Sequence, residues 1–411
     1  MYWLKGWAFT LVGLVAAQGG NALALVVLAR RVEPTAYGRY LASYALVNLL
    51  VVLPGLGLDR WLLTRGGAER HGTGHLWQAV TRLRLVALGL WLLGMGTFAV
   101  LQRNDALPPL LLFLVALNLA FDSVTSLAYT ALRCEGHHAQ VMAAQSFAAF
   151  LLLGVALILP RTSNALLSFA LARVLISLGV GGMIIFWLSD YYTARQYNTV
   201  ESRSLPSVRC ILQDALPFSI SDLAISVYMR ADLSIVSLVL GSAGAAIYGP
   251  ALNLINVCFL VPLAFNLLML PRLSRAYVES PQIFWRLGRL QLIVQAASGA
   301  LMSLGLWGMS GLLVNLAFGE QYAASIVVLR LLSPLIILKA CSFGLGNIIT
   351  ATDRQARRTV IQITVAIFNV LANLFAVNVY GVLGVAAVYI LSELFLCISY
   401  AMTLRNHQSL S

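Results

Sequence analysis

Apolar residues run in long blocks from one end of the chain to the other, parted by brief polar stretches. Each block is near the roughly 20 residues a helix needs to cross a bilayer. The pattern predicts twelve spans, at about 7–29, 37–58, 79–101, 108–131, 138–160, 164–188, 214–240, 246–270, 287–314, 323–350, 358–378 and 382–404. Strands of a membrane barrel alternate apolar and polar positions in short segments, and these long blocks do not. Lipid admits only helices or closed barrels, so the predicted fold class is an all-α integral membrane protein. The longest polar break, 189–213, divides the chain into two halves of six spans. The expected domains are a six-helix lobe over 1–188, a linker over 189–213 and a second six-helix lobe over 214–411.

One block departs from the pattern. Leu216 to Leu240 is long enough to span, yet Ser219, Asp222, Ser226, Arg230, Ser234 and Ser237 recur three or four residues apart. That spacing puts them on one helix face. An Arg at the centre of a lone spanning helix costs roughly 2.5–3.5 kcal/mol on insertion scales. The stripe is therefore expected to face protein or water, in a cavity that receives an anion.

Composition agrees with the pattern. Of 411 residues, 60% are hydrophobic and only 10% charged, with a mean hydropathy of +0.85; no soluble domain has this balance. The formal net charge is +12, and only two of the 27 cations are lysines, Lys5 and Lys339. There is no run of like charge, which excludes nucleic acid as a partner and leaves anionic lipid headgroups for the basic loops. With the N-terminus inside, 18 of the 27 cations fall on the cytoplasmic side and 5 outside (Arg30, Arg31, Arg39, Arg103 and Arg161). The cytoplasmic set includes Arg60, Arg65, Arg82, Arg84, Arg133, Arg272 and Arg354. This bias places both termini and the linker in the cytoplasm. The first apolar run continues to Ala29, too long for a signal-peptide core, so an uncleaved first helix is expected. Cys134, Cys210, Cys258, Cys341 and Cys397 lie far apart and suggest free thiols, without disulfide or metal spacing.

The two halves look related. Tyr37-Gly38 and Tyr248-Gly249 each open the second span of a half, followed in order by Pro54 and Arg60 or by Pro262 and Arg272. Six spans per half keep both halves in one orientation, which implies a parallel internal repeat. Pro54, Pro262 and Pro334 inside spans are expected to kink them.

Five stretches in this order carry a resemblance: RRVEPTAYGRY, GLGLDRWLLTR, MRADLSIVSLVLGSAGAAIYGPA, LAFGEQYAASIVVLRLLSP and NVYGVLGVAAVYILSELF. They resemble the polysaccharide-biosynthesis (O-antigen) flippases of the multidrug/oligosaccharidyl-lipid/polysaccharide exporter superfamily, over essentially the whole chain. The resemblance implies a two-lobed bundle of twelve helices that opens a central cavity to either side in turn. It implies a flippase carrying an oligosaccharide on undecaprenyl pyrophosphate across a bacterial cytoplasmic membrane, for O-antigen, capsule or exopolysaccharide. Polymerase and chain-length proteins would then be further partners.

Such a substrate needs cations and hydrogen-bonding groups at the membrane centre. Arg230 is the first candidate for the pyrophosphate, then Arg173 and Lys339, with Arg60 at the end of the second span and Arg330 near the outer end of the tenth. Asn118, Asp122, Thr125 and Tyr129 share a face of the fourth span; Gln362, Asn369 and Asn373 belong to the eleventh, Gln18 and Asn21 to the first. Asn118, Asn369 and Asn373 are the candidate sugar contacts, although membrane Asn and Gln also join helices. Asp122, Asp222, Asp232 and Glu393 are candidates for coupling transport to a proton or sodium ion. No P-loop or HExxH motif is present, and His71, His75, His137 and His138 read as solvated loop residues, so neither an enzyme nor a resident metal is expected. A drug or small-molecule cation antiporter of the same architecture remains the alternative. A polymerase or ligase would want a large outer loop, and a non-transporting scaffold is distinguished only by a transport assay.

Overall fold

The computed structural model describes residues 2–68, 73–102, 104–160, 164–196, 207–352 and 354–408. In chain order the helices are α1 (Tyr2–Arg31), α2 (Pro34–Leu50), α3 (Leu58–Ala68), α4 (Thr73–Leu101), α5 (Pro109–Cys134), α6 (His138–Ile158) and α7 (Ala165–Gln196). They continue as α8 (Val208–Val239), α9 (Gly241–Cys258), α10 (Leu260–Glu279), α11 (Pro281–Ala317), α12 (Ser325–Leu332), α13 (Leu335–Ala351) and α14 (Gln355–Gln408). A short 3-10 turn, Glu320–Tyr322, links α11 to α12.

These helices account for the twelve expected spans, but not one for one. Among the described residues, nine helical stretches are long and apolar enough to cross a membrane. One of them, Gln355–Arg405, holds both the eleventh and twelfth expected spans. They are divided at Gly381, whose φ of 58 and ψ of −141 are open to glycine and costly for any side chain. The second, eighth and tenth spans are interrupted instead of merely kinked. Pro54 lies in the turn 51–57 between α2 and α3, Pro262 in the first turn of α10, and Pro334 is the N-cap of α13. A proline lacks the N–H that a continuing helix requires, but it fits a helix start. Pro34, Pro109 and Pro281 use the same rule at the first turns of α2, α5 and α11. Much of the expected linker is helical: α7 reaches Gln196 and α8 begins at Val208. Its residues 197–206 lie outside the described ones, as do His71, Arg103 and Arg161.

The chain forms two compact units, Met1–Ser226 and Val227–Ser411, divided within α8. In the first, α5 is the central helix, packed on α4, α3, α2 and α7, while α1 lies along α6. In the second, α13 takes the equivalent place against α11, α10 and α14, and α12 packs on α9 as α5 packs on α2. The repeated Tyr37 and Tyr248 are both fully buried, so each Tyr-Gly pair seats the second span of its unit. The first core joins Trp61, Trp77, Leu127 and Tyr192 to Ile211 and Ala215 of α8. The second joins Tyr228 to Leu273, Phe284, Ile348 and Tyr400. Large apolar side chains such as Leu90, Phe186, Leu301 and Phe375 stay exposed on the outer helix faces, as suits a protein whose solvent is lipid.

Candidate functional site

In the first unit the interrupted second span is held by charge. The break ends in Leu56 and Gly57, with φ of 49 and 63. Asp59 sits in the first turn of α3. Arg84, expected to orient the chain from the cytoplasmic side, is instead a buried side chain of α4, 1% exposed. It donates to Asp59 Oδ2 at 2.6 Å, to the Gly55 carbonyl at 2.8 Å, and to the Ser123 hydroxyl and carbonyl at 2.7 and 3.1 Å. Ser126 donates to the other Asp59 oxygen at 2.7 Å. Arg60 Nε pairs with Asp222 Oδ1 at 2.8 Å, and Arg65 with Asp214 at 2.8 Å. Two of the sequence candidates, Arg60 and Asp222, are thus an ion pair that ties the break to α8.

Beside Ser126 opens a cavity of about 260 Å³ within the first unit, lined by the middles of α1, α5, α6 and α7. It gathers residues that the sequence had placed on separate spans: Gln18, Asn21, Asp122, Tyr129 and Arg173, together with Gln145 of α6. Arg173 donates to the Tyr40 hydroxyl at 2.8 Å, and its guanidinium carbon stands 4.9 Å from the Tyr44 ring centre. Asp122 accepts from Ser177 at 2.7 Å and feels the charge of Arg173. Asn118 does not line the cavity; it is buried and donates to Ser177 at 2.7 Å, fixing the hydroxyl that serves Asp122. Gly181 stands against Thr125, where an added Cβ would collide with the Thr125 hydroxyl. Gln145 and Ser177 had not been singled out. Their helices, α6 and α7, show no polar stripe, and only packing brings them to the cavity.

The second unit holds two buried polar clusters. Lys339 and Glu393, 1% and 0% exposed at the side chain, pair at 2.8 Å. Lys339 also donates to the Tyr228 hydroxyl at 2.8 Å and lies over the Tyr228 ring, 4.3 Å from its centre. Tyr228 and Ser342 donate to Glu393. Both charges are thereby neutralised and hydrogen-bonded, the condition under which a buried pair is tolerated. In the other cluster Asn373 donates to Asp232 at 2.7 Å and to Asn369 Oδ1 at 3.2 Å, while Asn369 donates to Ser392 at 3.2 Å. Asp232 Oδ2, Asn373 Oδ1 and the Tyr248 hydroxyl are buried without a hydrogen-bond partner among the described residues.

The six-residue stripe of α8 does not form one wet face. Ser226, Ser234 and Ser237 are buried, and the last two hydroxyls donate back to their own helix at Arg230 and Leu233. Arg230 is exposed. Helical rise puts it about 14 Å from the C-terminal end of α8, near mid-span. Arg330 donates to Ser310 at 2.8 Å. All five cysteines are free thiols.

A family model described as polysaccharide biosynthesis protein matches residues 3–276. No curated protein matches the sequence. Among solved structures, the chain is similar to lipid II flippase MurJ in an inward closed conformation, with a TM-score of 0.76, 10% identity, and 96% of this chain and 87% of that one covered. It is similar to an inward-facing multidrug resistance MATE family transporter of the MOP superfamily, with a TM-score of 0.74, 16% identity and 96% of each chain covered. It is also similar to a MOP superfamily transporter from Pyrococcus furiosus, with a TM-score of 0.67, 16% identity, and 97% and 93% covered. At these identities the likeness shows a shared fold.

Proposed function

Since the chain belongs to the polysaccharide biosynthesis protein family, we propose that it is a flippase rather than an enzyme. In this reading it moves an undecaprenyl pyrophosphate-linked oligosaccharide across a bacterial cytoplasmic membrane by alternating access, for O-antigen, capsule or exopolysaccharide. Both termini lie in the cytoplasm, and polymerase and chain-length proteins would receive the product on the far side.

The observation that carries the reading is the polar cavity at mid-span depth in the first unit. Polar and ionisable groups at that depth are costly in lipid and are kept where they serve transport. The sugar of a lipid-linked headgroup needs such a wet passage, while its tail stays in the bilayer. Arg230, exposed at mid-span on α8, is assigned to the pyrophosphate, which guanidinium binds bidentately. Asp232, with Asn369 and Asn373 around it, is assigned to the coupling ion. Its unpartnered oxygen and those of Asn373 and Tyr248 suit a proton or sodium ion.

The test is leaflet accessibility in cells lacking the gene. Carrier-linked oligosaccharide should accumulate where outer-leaflet enzymes cannot modify it. Wild type should clear the block, Arg230→Lys in part, and Arg230→Ala not at all, though made and inserted. If deletion leaves the lipid exported and no related flippase substitutes, the reading fails and small-molecule cation antiport replaces it.

A further inference from the structure

The cavity of the first unit has a charge balance that narrows its ligand. Two of its lining residues are charged, Asp122 and Arg173, and they carry opposite signs. Arg173 is not a loose cation. Tyr40 takes one of its N–H groups, Tyr44 covers its plane, and Asp122 lies within electrostatic range. A pyrophosphate carries more than one negative charge and needs surplus positive charge to leave water. This cavity has none to offer, and Asp122 would repel it.

The remaining polar groups suit a different ligand. Gln18 and Gln145 supply amides that both donate and accept, Asn21 adds a carbonyl and one N–H beyond the one it gives to the Ala17 carbonyl at 3.0 Å, and Tyr129 adds a hydroxyl on an aromatic ring. The nearby hydroxyls are already used: Thr125 donates to the Phe121 carbonyl and Ser126 to Asp59. Paired amides and a carboxylate match the alternating donors and acceptors of a ring bearing hydroxyls. The cavity, about 260 Å³, would hold roughly nine waters at the ~30 Å³ each takes in the liquid. That is room for a single sugar ring.

We propose that the cavity between α1, α5, α6 and α7 is a subsite for one uncharged sugar ring of the lipid-linked glycan, and that the pyrophosphate is met elsewhere. This rests on the flippase reading and adds to it a selection by charge. A glycan would be sampled ring by ring, with acidic sugars excluded from this subsite by Asp122.

The test places a thiol on the cavity wall and asks which lipid shields it. Ala148→Cys adds a small reporter at a lining position that makes none of these contacts; Val180→Cys serves if the first variant is inactive. The full chain is placed in proteoliposomes and its labelling by a small methanethiosulfonate is read at that residue by mass spectrometry. The probes are undecaprenyl pyrophosphate bearing one N-acetylhexosamine, the same carrier bearing one uronic acid, the bare carrier, and tetraphenylphosphonium. Translocation of each fluorescent lipid is followed in the same vesicles. At about ten times its Kd, the N-acetylhexosamine lipid should slow labelling about tenfold, and the bare and uronic acid carriers should leave it unchanged. Equal protection by the bare or acidic carrier overturns the subsite while the flippase reading stands. So does translocation without any protection. If wild type translocates no lipid and tetraphenylphosphonium alone protects, the flippase reading falls and the sugar subsite with it.

Discussion

Arg84 reaches Asp59 at 2.6 Å from a side chain that is 1% exposed, while the Asp59 side chain is 34% exposed. The same guanidinium holds the Gly55 carbonyl, so one buried cation closes the turn that interrupts the second span. Ser126 of the cavity wall donates to the other Asp59 oxygen. The turn and the cavity therefore share one hydrogen-bonded carboxylate.

Removing that cation leaves Asp59 and the Gly55 carbonyl short of a partner. Arg84→Ala should cost about 3 kcal/mol, at the lower end for breaking a buried pair because Asp59 is partly exposed. Arg84→Lys should recover only part, since a single ammonium cannot reproduce the fork. A clear fall in the apparent melting temperature of the purified protein, Ala greater than Lys, is the expected result. Equal melting of all three would remove Arg84 from this role.

Lys339 and Glu393 invite a double-mutant cycle. Lys339→Met or Glu393→Leu alone strands a buried group and should destabilise by about 3–5 kcal/mol. Lys339→Met with Glu393→Leu should cost far less than the two single changes added together. Additive losses would show that the pair does not act as a unit.

Two glycines separate backbone strain from collision. Gly57 and Gly381 both have φ near 60, so alanine at either should cost about 1–3 kcal/mol. At Gly381 a Cβ meets nothing within 4 Å, whereas at Gly57 it comes 2.5 Å from the Ser219 backbone nitrogen and 2.8 Å from the Ala215 carbonyl. Gly57→Ala should therefore lower melting more than Gly381→Ala, and the opposite order would contradict the close seat of the turn on α8.

The Arg60–Asp222 pair is half exposed, with side-chain values of 41% and 25%. A pair so placed is worth at most about 1 kcal/mol. Reversing Arg60 to Asp should barely move stability, and if the pair works in transport it should still slow translocation. The double reversal Arg60→Asp, Asp222→Arg should restore the rate. Failure of the double reversal would assign Arg60 a task other than pairing.

Asp232→Asn keeps an oxygen to accept from Asn373 and removes the charge. We expect stability near wild type and a lost response of translocation to an imposed proton or sodium gradient, measured in proteoliposomes. An unchanged gradient response would exclude Asp232 as the coupling site.

The apolar blocks by themselves determined that the chain spans a membrane as helices and where twelve spans lie, because lipid leaves a long apolar segment no other way to satisfy its backbone. The Tyr-Gly pairs were also legible, and the prolines marked where spans break, though as interruptions and not as the expected kinks. Tertiary structure decided the partners. Asp59 and Arg84 stand 25 residues apart in sequence, and Arg84, near the cytoplasmic start of its predicted span, looked like an orienting cation until α4 buried it. The serine stripe of α8 looked wet because periodicity reports which residues share a face, not what covers that face. The cavity draws its groups from α1, α5, α6 and α7; the polar positions of α1 and α5 were legible, while those of α6 and α7 were too sparse to signal alone. Only the packing of four helices turns them into one site, because contact between distant segments is a property of the fold and not of any segment's own pattern.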